Sequence, residues 1–203
     1  MTEQAAATGR TRKKRDRART EADLMDAAER LFERDGVLAG LNLNEVATEA
    51  GVNRGQIYQM YGNRRFLLRA ALNRALERFR ATQPAHWDRG FADRRRAVIR
   101  WAIDEYPAVR AVALLSLDGD DEFHPFPALE LTRAAIEHDK TTGALPPDAD
   151  GDALHVLTAA AAYGYSVMRE AAARDLGITP AELDERVLPV YDRMVGLLGG
   201  EAI

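Results

Sequence analysis

Asn53, Arg54, Gln56, Tyr58 and Gln59 fall within seven consecutive residues and together carry the donors and acceptors that read nucleic-acid base edges and phosphates. Arginine suits guanine, while asparagine and glutamine suit adenine, and a phenol hydroxyl reaches phosphate. Gly55 stands among them although glycine in a helix interior costs about 1 kcal/mol relative to alanine. A close approach of the backbone to DNA would compensate for that cost. Arg64 and Arg65 add positive charge a few residues later. The plainer reading is that Arg54, Gln56 and Gln59 form a solvated helix face.

The elements that must position these side chains are legible in the apolar spacing. Leu24, Ala27, Ala28, Leu31 and Phe32 repeat at i, i+3, i+4, i+7 and i+8, so the spacing predicts a helix. Thr20 with Asp23 approximates a capping box at its start, and Gly36 is placed to end it in a left-handed conformation. A second, very short helix opens at Asn42, with Glu45 three residues on, and closes at Gly51. Its apolar positions are Leu43, Val46, Ala47 and Ala50. Val52 and Asn53 lead into a third helix over about 54–61, on which Ile57 and Tyr61 share a face. Two short helices joined by a tight turn containing glycine are the outline of a helix-turn-helix, whose second helix enters the major groove. A fourth helix follows Gly62, capped by Asn63, and carries Leu68, Ala71, Leu72, Ala75, Leu76 and Phe79 on one stripe. Arg64 and Arg65 in its first turn oppose the helix dipole unless a phosphate lies nearby.

The 203 residues carry a formal net charge of -4, which taken whole argues against a polyanionic partner. The distribution reverses that argument. Residues 1–65 hold 12 basic and 10 acidic side chains, and residues 66–203 hold 16 and 22. Arg10, Arg12, Lys13, Lys14, Arg15, Arg17 and Arg19 crowd into ten positions beside one acid, Asp16. So charged a segment cannot fold by itself, and residues 1–19 are expected to form a flexible basic arm, or else a solubilising tail. No cysteine is present, which excludes a disulfide framework, a thiolate zinc site and a cysteine nucleophile. No uncharged apolar run reaches membrane-spanning length and the amino terminus lacks a signal-peptide core, so a cytoplasmic protein with no membrane partner is expected.

Beyond residue 66 the pattern stays helical, with segments at about 91–105, 108–117, 127–142, 152–175 and 180–198. Pro84, Pro107, Pro125 and the turn from Gly143 to Asp148 separate them. Thr179-Pro180-Ala181-Glu182 is a capping box with proline at N1, and Pro189 is expected to bend the helix it starts. The stretch from Ala153 to Met168 is apolar nearly all round, so it must be buried on more than one side. Pairing it and the last helix with a second copy in a four-helix bundle supplies that second side, the alternative being a monomer core. Trp101, Tyr106, Phe123, Phe126, His138, Tyr163, Tyr165 and Met168 are the candidate contacts for a small-molecule effector, with Trp87 and Arg133 nearby in the pattern; ordinary core packing is the competing reading for each. Asp118 to His124 resembles a metal loop but has Phe123 where an EF-hand needs glycine and Leu129 at the twelfth place, so it reads as an acidic surface turn. His86, His124, His138 and His155 lack paired metal spacing, and no phosphate-binding loop, nucleophile elbow or dinucleotide fingerprint occurs. No catalytic residue, metal or cofactor is therefore assigned.

Residues 20 to 72 resemble the amino-terminal domain of the tetracycline-repressor (TetR/AcrR) family of bacterial transcription regulators. The resemblance rests on Ala27 to Phe32 before Gly36, on the run from Leu43 to Tyr58, and on Tyr61 to Arg65 through Leu67. It implies an all-α fold with a DNA-binding head over 20–65 and a helical effector-binding and dimerisation body over 66–203. It implies phosphate contacts at Tyr58, Arg64 and Asn42, and base readers at Arg54, Gln56 and Gln59. With Asn53, Gly55, Tyr61 and Arg65, these make up the expected DNA-binding set. The partners implied are an operator in double-stranded DNA, a small-molecule effector and a second copy of the chain. A pseudopalindromic operator and release by effector would make the protein a repressor. Three departures, Tyr58-Gln59-Met60-Tyr61 in place of an aromatic-x-His-Phe ending, Arg64-Arg65 in place of Lys-Glu, and asparagines at 42 and 44, bear on which operator is read. A non-specific architectural DNA-binding protein and an all-helical enzyme are the rival classes.

Overall fold

Thr20 does not start a helix. In the computed structural model, which describes residues 2–39, 42–82, 89–119, 121–126 and 128–199, the first helix, α1, already runs from Thr2 to Ala39. The Thr20 hydroxyl donates to the carbonyl of Asp16 (2.9 Å), the back-bond of a hydroxyl residue in mid-helix. The stretch expected as an arm is thus a helical extension. Alanine, arginine, lysine and glutamine are good helix formers, and joining an existing turn avoids the cost of nucleation. Gly36 interrupts α1 at positive φ (76°), as expected of a helix-ending glycine, though its ψ of 162° differs from that of a left-handed helical cap.

Four shorter or longer helices complete the head and its link to the body: α2 (Leu43–Glu49), α3 (Arg54–Tyr61) and α4 (Arg64–Thr82), then α5 (Phe91–Asp104). The body continues with α6 (Tyr106–Leu117), α7 (Leu129–Thr141), α8 (Gly151–Leu176) and α9 (Pro180–Leu198). All regular structure among the described residues is α-helical, and no described helix is long and apolar enough to cross a membrane. Capping accounts for several starts. Asn42 accepts from Asn44 N, Asn53 from Gly55 N, Asp150 from Ala153 N and Thr179 from Glu182 N. At α9 the Thr179 and Glu182 side chains cap reciprocally, as the capping-box spacing predicts, and Pro189 lies inside the helix.

The α2–α3 turn shows how a short sequence sets an angle. Val52 N donates to Ala47 O (3.0 Å) and Gly51 N to Thr48 O (3.1 Å), the paired bonds of a Schellman motif with glycine at its left-handed position, φ 65°. Val52 is thereby turned onto the head core. A methyl group at Gly51 would meet no atom within 4 Å, so only the backbone conformation resists substitution. Gly51→Ala should destabilise the protein by about 1–2 kcal/mol in urea titration, the cost of holding an L-residue at positive φ. An unchanged midpoint would refute this account of the turn.

Leu24, Ala28, Leu31, Val46, Ile57 and Leu67 fill the head, and their cluster continues without interruption into the body through Ala108, Val109, Val112 and Leu115 of α6. Helix α6 packs on both α1 and α4, so it is the main support of the head on the body. Arg65 pairs with Asp118 (2.5 Å), Arg69 with Glu122, and Arg78 with Glu29 (2.8 Å) around that contact. Such partly exposed pairs contribute about 0–1 kcal/mol each, so they set geometry more than stability. The acidic turn after α6 therefore meets the arginines of α4. In the body, α5 packs on α8 and α9, and α7 covers α8.

Candidate nucleic-acid interface

Helix α3 is fixed by one face and leaves the other in solvent. Ile57 is fully buried and Tyr61 is 7% exposed, which seats the helix on α1, α2 and α4. Tyr61 was expected on the DNA side; the structure corrects this, because its spacing from Ile57 turns the ring inward. Its hydroxyl is buried without a partner among the described residues, and burial followed by the charge of Glu21 pushes it up to about 12. Asn53, Arg54, Gly55, Gln56, Tyr58 and Gln59 are all exposed, with Tyr58 44% accessible although aromatic.

The local hydrogen bonds divide these residues by role. Asn53 accepts from Gly55 N (2.7 Å), and the Gln56 carboxamide oxygen accepts from Asn53 N (3.1 Å), so the two form a capping box. One lone pair of the Gln56 oxygen is thus committed to the Asn53 amide, while both its N–H groups stay free to donate to guanine, thymine or phosphate. Arg54 and Gln59 have no such commitment. Asn42 is exposed at the start of α2 and bonds Glu45 through its side chain (3.3 Å). Arg64 is exposed at the start of α4, where Asn63 caps Arg65 N (2.9 Å). Arg65 departs from expectation: its guanidinium is drawn to the Asp118 carboxylate and main-chain carbonyl on the body. Asp118 is held below the usual carboxylate range chiefly by that hydrogen bond.

A head of three helices, with its second and third joined by a Schellman turn and its third presenting an arginine, two glutamines and a phenol to solvent, is a helix-turn-helix DNA-binding domain. Residues 24–71 match the family model described as bacterial regulatory proteins, tetR family. Residues 24–71 are thus a DNA-binding domain of the tetR-family type, and the chain is a DNA-binding transcription regulator. No curated protein matches it.

The eight expected effector contacts do not form one group. Trp101 and Tyr163 meet edge to face, with centroids 6.0 Å apart, and Phe79 lies 5.3 Å from Trp101. Phe126 stands edge-on to His155 at 4.7 Å. Phe123 and Tyr165 pack on the core from its edge, and Tyr165 donates to Asp184 (2.6 Å). Two candidates are corrected: His138 is exposed on α7, and Met168 is 60% exposed on the outer face of α8. Tyr106, half-buried, lies under the guanidinium of Arg110 (4.6 Å). Arg133 is engaged by Asp152 and Glu130 at the surface, and Trp87 lies outside the described residues.

The sequence reading passed over the buried polar groups of the body. Arg94 is paired with Asp139 in the interior between α5 and α7. Arg95, beside it, donates to His155 Nδ1 (2.7 Å) and is paired with no carboxylate among the described residues. A sequence signal existed: Phe91, Arg95, Ile99 and Ala102 fall on one helical stripe, so Arg95 replaces an apolar residue on the face that α5 buries. Burial, opposed in part by Tyr191, pulls Arg95 down to about 10, so it keeps its charge at neutral pH. Burial, then the Arg95 charge, holds His155 down to about 4 and therefore neutral.

Proposed function

We propose that the chain is a homodimeric repressor that reads a pseudopalindromic operator with α3 of each copy and is released by a small molecule bound in the body. The observation that carries the DNA half of this reading is the division of α3 into a buried anchoring face and an exposed face bearing Arg54, Tyr58 and Gln59. The dimer half rests on α8 and α9, whose outward faces carry Leu157, Met168, Val190, Met194 and Leu197 in solvent. Apolar area of that extent on a soluble chain marks an interaction surface. Repressor proteins of this kind act in the cytoplasm, and the helical extension over 2–19 would add sequence-independent phosphate contacts.

An effector acts by binding one conformation better than the other. Helix α6 joins the body to both α1 and α4, so a shift of α6 alters the spacing of the two α3 helices.

Competition binding between genomic operator fragments and random duplex tests the assignment. Arg54→Ala should lower the operator-to-random ratio by roughly 5–100-fold, the value of one good bidentate base contact. Gln56→Glu keeps the capping box, since glutamate serves at N3, but replaces a donor by a negative charge. It should leave thermal stability unchanged and weaken operator binding. If both variants keep the parent's ratio, α3 is not the reading helix, and the chain is a non-specific DNA-binding protein.

A further inference from the structure

Among the buried groups of the body whose N–H donors find no acceptor among the described residues are Arg95 Nε, Trp101 Nε1 and His155 Nε2. The third is a donor by necessity. A guanidinium only donates, so His155 Nδ1 accepts from Arg95, and a neutral imidazole then carries its hydrogen on Nε2. All three side chains are at least nine-tenths buried. The charge is equally one-sided. Arg94 and Arg95 share one carboxylate, that of Asp139, which pairs directly with Arg94; the groups nearest Arg95 itself are His155, the ring of Phe91 and the phenols of Tyr163 and Tyr191, which are neutral at neutral pH. Tyr191 donates its hydroxyl hydrogen to Thr158 O (3.1 Å). The interior thus holds one more positive than negative charge and an excess of donors, with Trp101 packed edge to face on Tyr163 and Phe126 edge-on to His155.

We infer that the effector is a small organic acid with an apolar or aromatic body, its single carboxylate received by Arg95 with His155 and Trp101 as further donors. A carboxylate supplies one negative charge and about four acceptor sites, which matches the excess of both. A neutral ligand would leave the charge uncompensated, and a dianion would overshoot it. The rings of Trp101, Tyr163 and Phe126 suit the remainder of such a molecule. This inference deepens the effector reading above and rests on it only for the consequence at DNA.

The test uses the full chain without DNA, so failure of the operator reading does not affect it and its own failure leaves α3 untouched. Acetate, hexanoate, benzoate and phenylacetate are each compared with the corresponding primary amide, by thermal midpoint and by tryptophan fluorescence in a Trp87→Phe background. At ten times its dissociation constant an acid should raise the midpoint by about 3–5 °C, and its amide should not. Arg95→Met should abolish the response while leaving the midpoint of the free protein equal to or above the parent's, because it removes an unpaired buried charge. Trp101→Phe keeps the ring and loses the donor, so it should fold normally and bind the acid several-fold more weakly. The proposal is overturned if no acid of the series responds, if amides bind as well as acids, or if Arg95→Met responds like the parent. A free Arg95→Met protein that melts well below the parent, or fails to fold, also overturns it, since the charge would then be compensated within the fold.

Discussion

Asp139→Asn is expected to destabilise the protein by about 3–5 kcal/mol, the cost of leaving one member of a buried ion pair without its partner. Arg94 and Asp139 have side chains that are 9% and 5% exposed, and their contact joins α5 to α7. With asparagine at 139 the guanidinium keeps a hydrogen-bond acceptor but loses its counter-charge. Arg95, one residue away, then adds a second unpaired cation in the same interior. For a chain of this length the midpoint should fall by roughly 10 °C. The double variant Arg94→Met, Asp139→Leu removes both charges and fills similar volume, so it should recover most of the loss. Urea titration of the three proteins decides the matter. A loss below about 1 kcal/mol in the single variant would show that water reaches the pair.

The contrast between Arg94 and Arg95 also shows where the sequence was informative. Helix positions followed local rules wherever a cap or a turn residue acts within a few residues. Thr179 with Glu182 placed the start of α9 at Pro180, and Gly51 with Val52 placed the turn before α3. The face of α3 was equally legible, because Ile57 marks the buried side and the polar residues around it fall opposite. Local rules failed when the decisive neighbour is distant in the chain. Thr20 resembles a cap, but the helix preceding it was already formed. Arg65 reads as a DNA contact until Asp118, 53 residues on, takes its guanidinium. His155 and Arg95 are 60 residues apart, and neither shows alone that the other supplies its hydrogen bond. Aromatic residues misled for a related reason. Composition cannot separate Trp101, which turns inward, from Met168, which the same helix-length arithmetic leaves on the outer face.

The second large effect concerns that outer face. Leu157 on α8 and Val190 on α9 are 68% and 69% exposed in the single chain, so a charge at either position meets solvent and leaves the folded chain undisturbed. Across a four-helix dimer contact the same charge must be stripped of water without a partner, at several kcal/mol for each carboxylate. Symmetry doubles the penalty, because a two-fold axis places every substitution on both sides. Leu157→Glu with Val190→Glu should therefore yield a folded monomer by sedimentation equilibrium, with helical content and midpoint in the range of an intact chain. Binding to an operator of two half-sites should weaken by roughly 10²–10⁴-fold, since the second α3 no longer benefits from the tether of the first. Binding to an isolated half-site should stay at the level of one parent α3. If the double variant remains a dimer, α8 and α9 are not the interface. If it is a monomer that still binds the full operator with parent affinity, the two half-sites are not read together, and the pseudopalindromic mode proposed for this regulator is wrong.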